Sequence, residues 1–116
     1  MIKHLVISGR VQGVGFRYWL QSVAIEKNIF GWVKNKFSGD VEALIVGEEK
    51  KVKDLIKLCE KGPHSSNVDR VKVNEYKKDY LKKSFDIIES DWKSAFGVVL
   101  LEVLLVFPLL DLLAHL

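Results

Sequence analysis

The sequence predicts an α+β fold, a βαββαβ sandwich in which one antiparallel sheet carries two helices on one face. Strand-like and helix-like segments follow each other in the order strand, helix, strand, strand, helix, strand, which is the split βαβ pattern. A chain of 116 residues is long enough for one core but not for two. We therefore expect one domain over residues 1–90, followed by an apolar C-terminal helical tail over residues 91–116.

The first strand and the first helix are predicted from hydrophobic periodicity. The segment from Ile2 to Ser8 is rich in β-branched residues, and its apolar Leu5 and Ile7 recur at alternate positions. Helical spacing then extends from Phe16 to about Lys27, and the predicted buried positions are Phe16, Trp19, Leu20, Val23 and Ala24. Asn28 tolerates the left-handed conformation and is expected to end this helix.

A β-hairpin is predicted next. Its strands cover about Phe30 to Lys36 and Val41 to Val46, and Phe37-Ser38-Gly39 forms the turn between them. In the second strand of the pair, the apolar residues Val41, Ala43 and Ile45 alternate with Glu42, Leu44 and Val46, so the two sets are expected on opposite faces.

The second helix is predicted to open at Glu48-Glu49, where negative charge suits the positive end of the helix dipole, and to stop at Gly62-Pro63. Its buried stripe would be Val52, Leu55, Ile56 and Cys59. A fourth strand is expected over Val68 to Val73 and a short fifth one over Phe85 to Ile88.

The charge pattern is typical of a solvated surface. The formal net charge is +3, but residues 1–90 hold 17 basic against 12 acidic side chains, whereas residues 91–116 have a net charge of −2. The lysines cluster on the predicted solvent-exposed side of the second helix and around a loop. Such runs are usually solvated surface, so no nucleic-acid partner is expected. A mildly positive field would still attract a small anion.

Cysteine usage and the N-terminal sequence favour a cytoplasmic protein. Cys59 is the single cysteine, so no intramolecular disulfide can form, and the sequence has no Cys/His cluster to bind a metal. The chain enters strand-like sequence directly, with no secretory signal pattern. We expect Cys59 to be a packed thiol.

A glycine-rich stretch joins the first strand to the first helix. It reads Gly9-Arg10-Val11-Gln12-Gly13-Val14-Gly15 and is followed by Phe16 and Arg17. Glycines let a loop turn sharply and aim N–H groups at a ligand, a helix N-terminus attracts anions, and arginine fits paired oxygens. The pattern therefore predicts a phosphate-like ligand. A glycine-rich turn beside a solvated arginine would give the same bare pattern, which is neither a Walker loop nor a dinucleotide fingerprint.

The full string V-Q-G-V-G-F-R over residues 11–17 resembles the signature of the acylphosphatase family. Gly31-Trp32-Val33-Lys34-Asn35 is similar to the second motif of that family, G-x-V-x-N. Further matching positions are Gly39, Val41-Glu42, Gly62-Pro63 and the strand pattern from Val68 to Val73. The resemblance covers roughly residues 1–90 and implies a ferredoxin-like α/β sandwich.

The resemblance also implies a reaction, the metal-independent hydrolysis of the carboxyl–phosphate bond of small acyl phosphates. Arg17 and the backbone N–H groups of residues 9–15 would hold the phosphate, and Asn35 would orient the attacking water. A phosphate oxygen of the substrate would accept the proton of that water, so no cofactor, metal or covalent intermediate is implied. Many relatives have Asp-Gly after the asparagine, where this chain has Lys36-Phe37, and this difference leaves the natural acyl group open.

Two other functions are compatible with the sequence. The domain could retain the anion site and serve as a sensor or as a module of a larger system, although intact Arg17 and Asn35 argue against that reading. RNA binding is a second alternative because the same fold hosts RRM domains. However, the aromatic motif of RRM domains belongs on a strand, and the similar residues here, 14–18, open a helix.

Residues 95–116 form an apolar segment that is interrupted only by Glu102, Asp111 and His115. These 22 residues are enough to cross a bilayer as a helix, but Glu102 and Pro108 oppose that arrangement. Membrane attachment, docking on the domain or on a second copy, and a non-native extension all remain open.

Overall fold

The computed structural model describes residues 1–90 as a five-stranded sheet with two helices. Its elements, in chain order, are β1 (Ile2–Arg10), α1 (Phe16–Glu26), β2 (Phe30–Asn35), β3 (Val41–Val46), α2 (Glu49–Lys61), β4 (Asn67–Glu75) and β5 (Phe85–Ile87). This order confirms the predicted βαββαβ pattern, with β1 and β4 each extending two residues beyond the predicted C-terminal end. The predicted helical tail, residues 91–116, lies outside the described residues.

The strand order across the sheet is β4-β1-β3-β2-β5. β1 is antiparallel to β3 and β4, and β2 is antiparallel to β3, as predicted. β5, however, pairs parallel to β2, so the sheet is mixed and not purely antiparallel. The reason is the direction of the chain. β4 runs opposite to β2, and the chain reverses once more between β4 and β5, so β5 joins the far edge of the sheet parallel to β2.

The hydrophobic core lies between the two helices and one face of the sheet. Leu5 and Ile7 of β1 are fully buried, which confirms the predicted alternation. They belong to one cluster with α1 (Phe16, Leu20 and Ala24) and α2 (Val52, Leu55 and Cys59). Both helices therefore cover the same face of the sheet, as the order of the predicted elements indicated.

Two residues with positive φ set the path of the chain from α1 into β2. Asn28 has a φ of 55° and follows the last turn of α1, which confirms its predicted conformation. Gly31 has a φ of 137°, and a Cβ at this position would lie 1.8 Å from the carbonyl oxygen of Leu44 on β3. Only glycine allows β2 and β3 to approach this closely.

Neither of the two helices in residues 1–90 is both long enough and apolar enough to cross a membrane.

Candidate active site

The predicted glycine-rich stretch is divided between a strand and a loop. Gly9 and Arg10 belong to β1 and pair with Val68 and Asn67 of β4, so the loop itself covers residues 11–15. Gly9 has a φ of 125°, and a Cβ there would lie 2.3 Å from the carbonyl oxygen of Asn67. The glycine at position 9 thus permits the close approach of β4, whereas the sequence had suggested close approach of a ligand.

The loop is anchored at its first residue and has free space around its two glycines. Val11 is buried in the core, which anchors the loop to the domain. Gly13 and Gly15 have φ angles of 71° and 77°, and a Cβ at either position would meet no atom within 4 Å. The two glycines therefore serve the backbone conformation. Within the part of the chain that the structure describes, the N–H groups of residues 12–15 donate to no main-chain carbonyl outside regular elements.

The N-terminus of α1 is an uncapped helix end beside this loop. Gly15 is its N-cap residue, and no side chain makes a capping hydrogen bond there. The N–H of Trp19 donates to the carbonyl oxygen of Gly15 at 3.0 Å and closes the first turn. The N–H groups before Trp19 lack intrahelical acceptors, and the helix has no acidic residue in its first turn. This end of α1 is therefore positive and offers donors to an anion.

Arg17 is the second residue of α1 and is half-buried. No carboxylate among residues 1–90 forms an ion pair with its guanidinium group. A half-buried cation at the positive end of a helix is electrostatically unfavourable unless an anion is nearby. Arg17 and the helix end thus provide positive charge at the same place.

Asn35 is the last residue of β2 and is only 7% exposed. Its Oδ1 atom is a buried acceptor that has no hydrogen-bond partner among the described residues. Leaving such an atom unsatisfied costs about 1–3 kcal/mol, which is a reason to look for a functional role. The amide oxygen can accept a hydrogen bond from a small O–H donor.

The side chain of Gln12 joins the loop to the turn that follows Asn35. Its Nε2 atom donates to the carbonyl oxygens of Lys36 and Asp40, at 2.8 Å in each case. Lys36 is the residue after Asn35, so these bonds bring the loop next to the end of β2. Sequence reasoning assigned Gln12 only a backbone N–H and missed its side chain, because no local pattern reveals acceptors 24 and 28 residues away.

A separate charged group lies at the β2–β3 hairpin. The Glu42 carboxylate is 3.4 Å from Nζ of Lys36 and 3.3 Å from Nε2 of His4. The ammonium group of Lys36 is therefore already engaged by a carboxylate. Phe37, the next residue in the turn, is largely exposed.

The single cysteine is a packed thiol, and residues 1–90 contain no group of side chains that could bind a metal ion. Cys59 is fully buried on α2, and burial raises the pKa of its thiol to about 12. The thiol therefore stays protonated at neutral pH, as expected for a packed cysteine. In residues 1–90, no three His, Cys, Asp or Glu side chains are grouped so that they could bind a metal ion.

Comparison with known proteins gives a family match over most of the chain. The family model described as Acylphosphatase matches residues 3–87. A protein named Acylphosphatase from Nitrobacter hamburgensis is 46% identical over 71 residues, which is 61% of this chain and 72% of the relative. Another from Koribacter versatilis is 40% identical over 90 residues, covering 78% of this chain and 81% of the relative.

Solved structures show the same similarity in three dimensions. The crystal structure of acylphosphatase from Bacillus subtilis aligns with a TM-score of 0.71 at 35% identity, over 76% of this chain and 99% of that one. The full-length HypF structure, in a phosphate- and nucleotide-bound form, aligns with a TM-score of 0.70 at 32% identity. It covers 78% of this chain but only 12% of the HypF chain.

Proposed function

This chain belongs to the acylphosphatase family and is therefore a hydrolase of small acyl phosphates, and we propose that Arg17, Asn35 and the loop between β1 and α1 perform the reaction. One observation supports this most strongly. Among residues 1–90, an arginine at a helix N-terminus has no ion pair and a buried amide oxygen has no hydrogen-bond partner, and the Gln12 side chain joins the loop before that helix to the turn after that amide. The first suits a phosphate, and the second suits a water molecule.

The substrate explains why so few residues are needed. An acyl phosphate is a mixed anhydride with a good carboxylate leaving group, so the enzyme does not require a strong nucleophile. It must neutralise the phosphoryl oxygens and hold one water in line with the bond that breaks. The proposed residues would neutralise the phosphoryl oxygens and hold the water, and none of them would form a covalent bond to the substrate.

The phosphate would be held by the predicted stretch from Gly9 to Gly15 together with Arg17. The N–H groups of residues 12–15 and of the first turn of α1 are available as donors, whereas Gly9 and Arg10 pair with β4 along one side of β1. The Arg17 guanidinium would bind two phosphoryl oxygens through parallel N–H donors. The backbone donors are set by the fold before the substrate arrives, so they would stabilise the transition state with little reorganisation.

The water would be held by Asn35. Its Oδ1 atom would accept a hydrogen bond from one O–H of the water and leave an oxygen lone pair for the phosphorus atom. An amide is too weak a base to take the proton, so the proton would pass to a phosphate oxygen of the substrate. The bond between phosphorus and the carboxyl oxygen breaks, and the products are a carboxylate and inorganic phosphate. No metal, cofactor or other partner takes part in these steps.

The test compares the hydrolysis of benzoyl phosphate by the wild type, Arg17→Ala and Arg70→Ala, in chelator at neutral pH. Arg70 is an exposed arginine on β4 that pairs with Ser8 of β1, and its replacement matches the loss of charge at a position outside the proposed residues. We expect turnover by the wild type, a loss of at least about a hundredfold in Arg17→Ala, and near-normal rates in Arg70→Ala. Near-normal turnover by Arg17→Ala would refute its role.

A second candidate is an anion-binding module without turnover. The similarity to a segment covering 12% of the HypF chain shows that this fold also occurs within a longer protein. A folded wild type that binds inorganic phosphate but does not hydrolyse benzoyl phosphate would favour this alternative.

Residues 95–116 lie outside the described residues, so membrane attachment, self-association and cytoplasmic location remain hypotheses from the sequence. Flotation of the full chain with phospholipid vesicles tests the first, and sedimentation at several protein concentrations tests the second. The division into a domain over residues 1–90 and a tail over 91–116 likewise remains a prediction.

A further inference from the structure

The Gln12 side chain connects the two halves of the proposed site. It comes from the loop between β1 and α1, and both of its acceptors lie in the turn between β2 and β3. Asn35 immediately precedes the first acceptor, Lys36, so the bonds are made one residue from the amide that would hold the water.

The geometry of these bonds leaves little freedom. One nitrogen, Nε2, uses its two N–H groups on two carbonyl oxygens, each at 2.8 Å. The oxygen of Lys36 also accepts from the N–H of Gly39 at 3.1 Å, and the oxygen of Asp40 also accepts from the N–H of Lys36 at 2.8 Å. Gln12 therefore completes a network that closes the turn on itself and ties it to the loop.

We propose that Gln12 is a positioning residue that fixes the separation between the phosphate site and Asn35. This inference rests on the proposed function, since it assigns the phosphate to the loop and the water to Asn35. The attacking oxygen and the phosphorus atom must meet in line, and an error of about 1 Å in such an arrangement can reduce the rate by about a hundredfold. The network links the segments on which the two reactants would be held.

Few other side chains could make this connection. Asparagine has the same amide but is shorter by one methylene, and glutamate has the right length without N–H donors. Methionine has nearly the same length and no donor at all. Gln12→Met therefore removes both hydrogen bonds while keeping most of the side-chain volume.

The expected effect falls on turnover and not on phosphate binding. The backbone donors and Arg17 that would hold the phosphate lie on the loop side, and they stay in place when the connection to the turn is lost. Each acceptor keeps its second hydrogen bond within the turn, so the domain should still fold.

The experiment measures kcat for benzoyl phosphate and the inhibition constant of inorganic phosphate in Gln12→Met. The matched control is Gln21→Met, which removes a hydrogen bond of the same kind, from Nε2 of Gln21 in the middle of α1 to the carbonyl oxygen of Phe85 on β5 at 2.9 Å. We expect kcat to fall about 10- to 100-fold in Gln12→Met and the inhibition constant to change less than about threefold. In Gln21→Met both quantities should stay within about threefold of wild type.

Three kinetic results would overturn the proposal. A kcat of Gln12→Met near that of wild type would show that the connection does not matter to the reaction. Equal changes in kcat and in the inhibition constant would mean that Gln12 acts on the phosphate itself. An equal loss of kcat in Gln21→Met would indicate general loosening of the fold.

A readout that does not depend on activity separates this proposal from the proposed function. The amide protons of Lys36 and Gly39 donate within the turn, and their hydrogen exchange should be faster in Gln12→Met but unchanged in Gln21→Met. Unchanged exchange in Gln12→Met would refute the connection. If the wild type does not hydrolyse acyl phosphates, the proposed function fails, while the exchange rates still decide whether Gln12 holds the turn.

Discussion

Replacing Asn35 by alanine should remove activity without destabilising the protein. The reason is the buried Oδ1 atom, which has no hydrogen-bond partner among the described residues. An unsatisfied buried acceptor costs about 1–3 kcal/mol, and Asn35→Ala removes that cost while leaving only a small cavity. The free energy of unfolding should therefore lie within about 1 kcal/mol of the wild-type value or slightly above it.

The rate should respond in the opposite way. If Oδ1 orients the attacking water, its loss removes an interaction made with the reacting molecule, and comparable losses cost about a hundred- to a thousandfold in kcat. This corresponds to about 2.7–4 kcal/mol of transition-state stabilisation. Binding of inorganic phosphate should persist because Arg17 and the loop are unchanged.

Val33→Ala is the matched control because Val33 lies two residues earlier on the same strand and is fully buried in the core. The free energy of unfolding should fall by about 2 kcal/mol because two buried methyl groups are removed. The kcat of the folded Val33→Ala protein should stay within about threefold of wild type. Urea unfolding and benzoyl phosphate hydrolysis in chelator measure both quantities for the three proteins. A destabilised Asn35→Ala with a near-normal rate would show that the asparagine is structural, and the mechanism would be wrong.

Two further predictions concern stability. Gly31→Ala should cost more than about 3 kcal/mol in urea unfolding, because its Cβ would lie 1.8 Å from a carbonyl oxygen; a wild-type midpoint would contradict the close approach of β2 and β3. Burial raises the pKa of the Cys59 thiol from 9.0 to about 12, so the unfolded chain loses this proton at a lower pH than the folded protein does. The free energy of unfolding therefore declines as the pH rises from 9 to 12, by up to about 1.4 kcal/mol per pH unit. The stability difference between wild type and Cys59→Ala should therefore shrink between pH 8 and 10.5, and a constant difference would refute it.

The sequence was sufficient to predict the order of the elements. Alternation of apolar residues every second position and recurrence every three to four positions are local signals, so they revealed β1 with Leu5 and Ile7 and the buried stripe of α2. Asn28 was recognised because few residues other than glycine tolerate a positive φ at a helix end. Arg17 and Asn35 were identified because two motifs matched together, and their roles still await the experiments above.

The tertiary structure decided the features that depend on distant parts of the chain. The parallel pairing of β5 with β2 follows from the direction in which the chain crosses the sheet, and a three-residue strand contains no sign of its partner. Gly9 is required by the backbone of β4, which lies almost 60 residues later in the sequence. Strand pairing brings such atoms together only after the sheet has formed.

For the proposed site, too, the sequence predicted the features that belong to single residues and missed those that depend on the folded arrangement. The glycines and Arg17 predict an anion site because backbone freedom and fixed charge are properties of the residues themselves. The unsatisfied oxygen of Asn35 and the two bonds of Gln12 are properties of an arrangement, since both depend on which groups the folded chain places nearby. Residue chemistry thus predicted the kind of ligand, and only packing across the sheet decided that the Gln12 side chain joins the loop to the turn after Asn35.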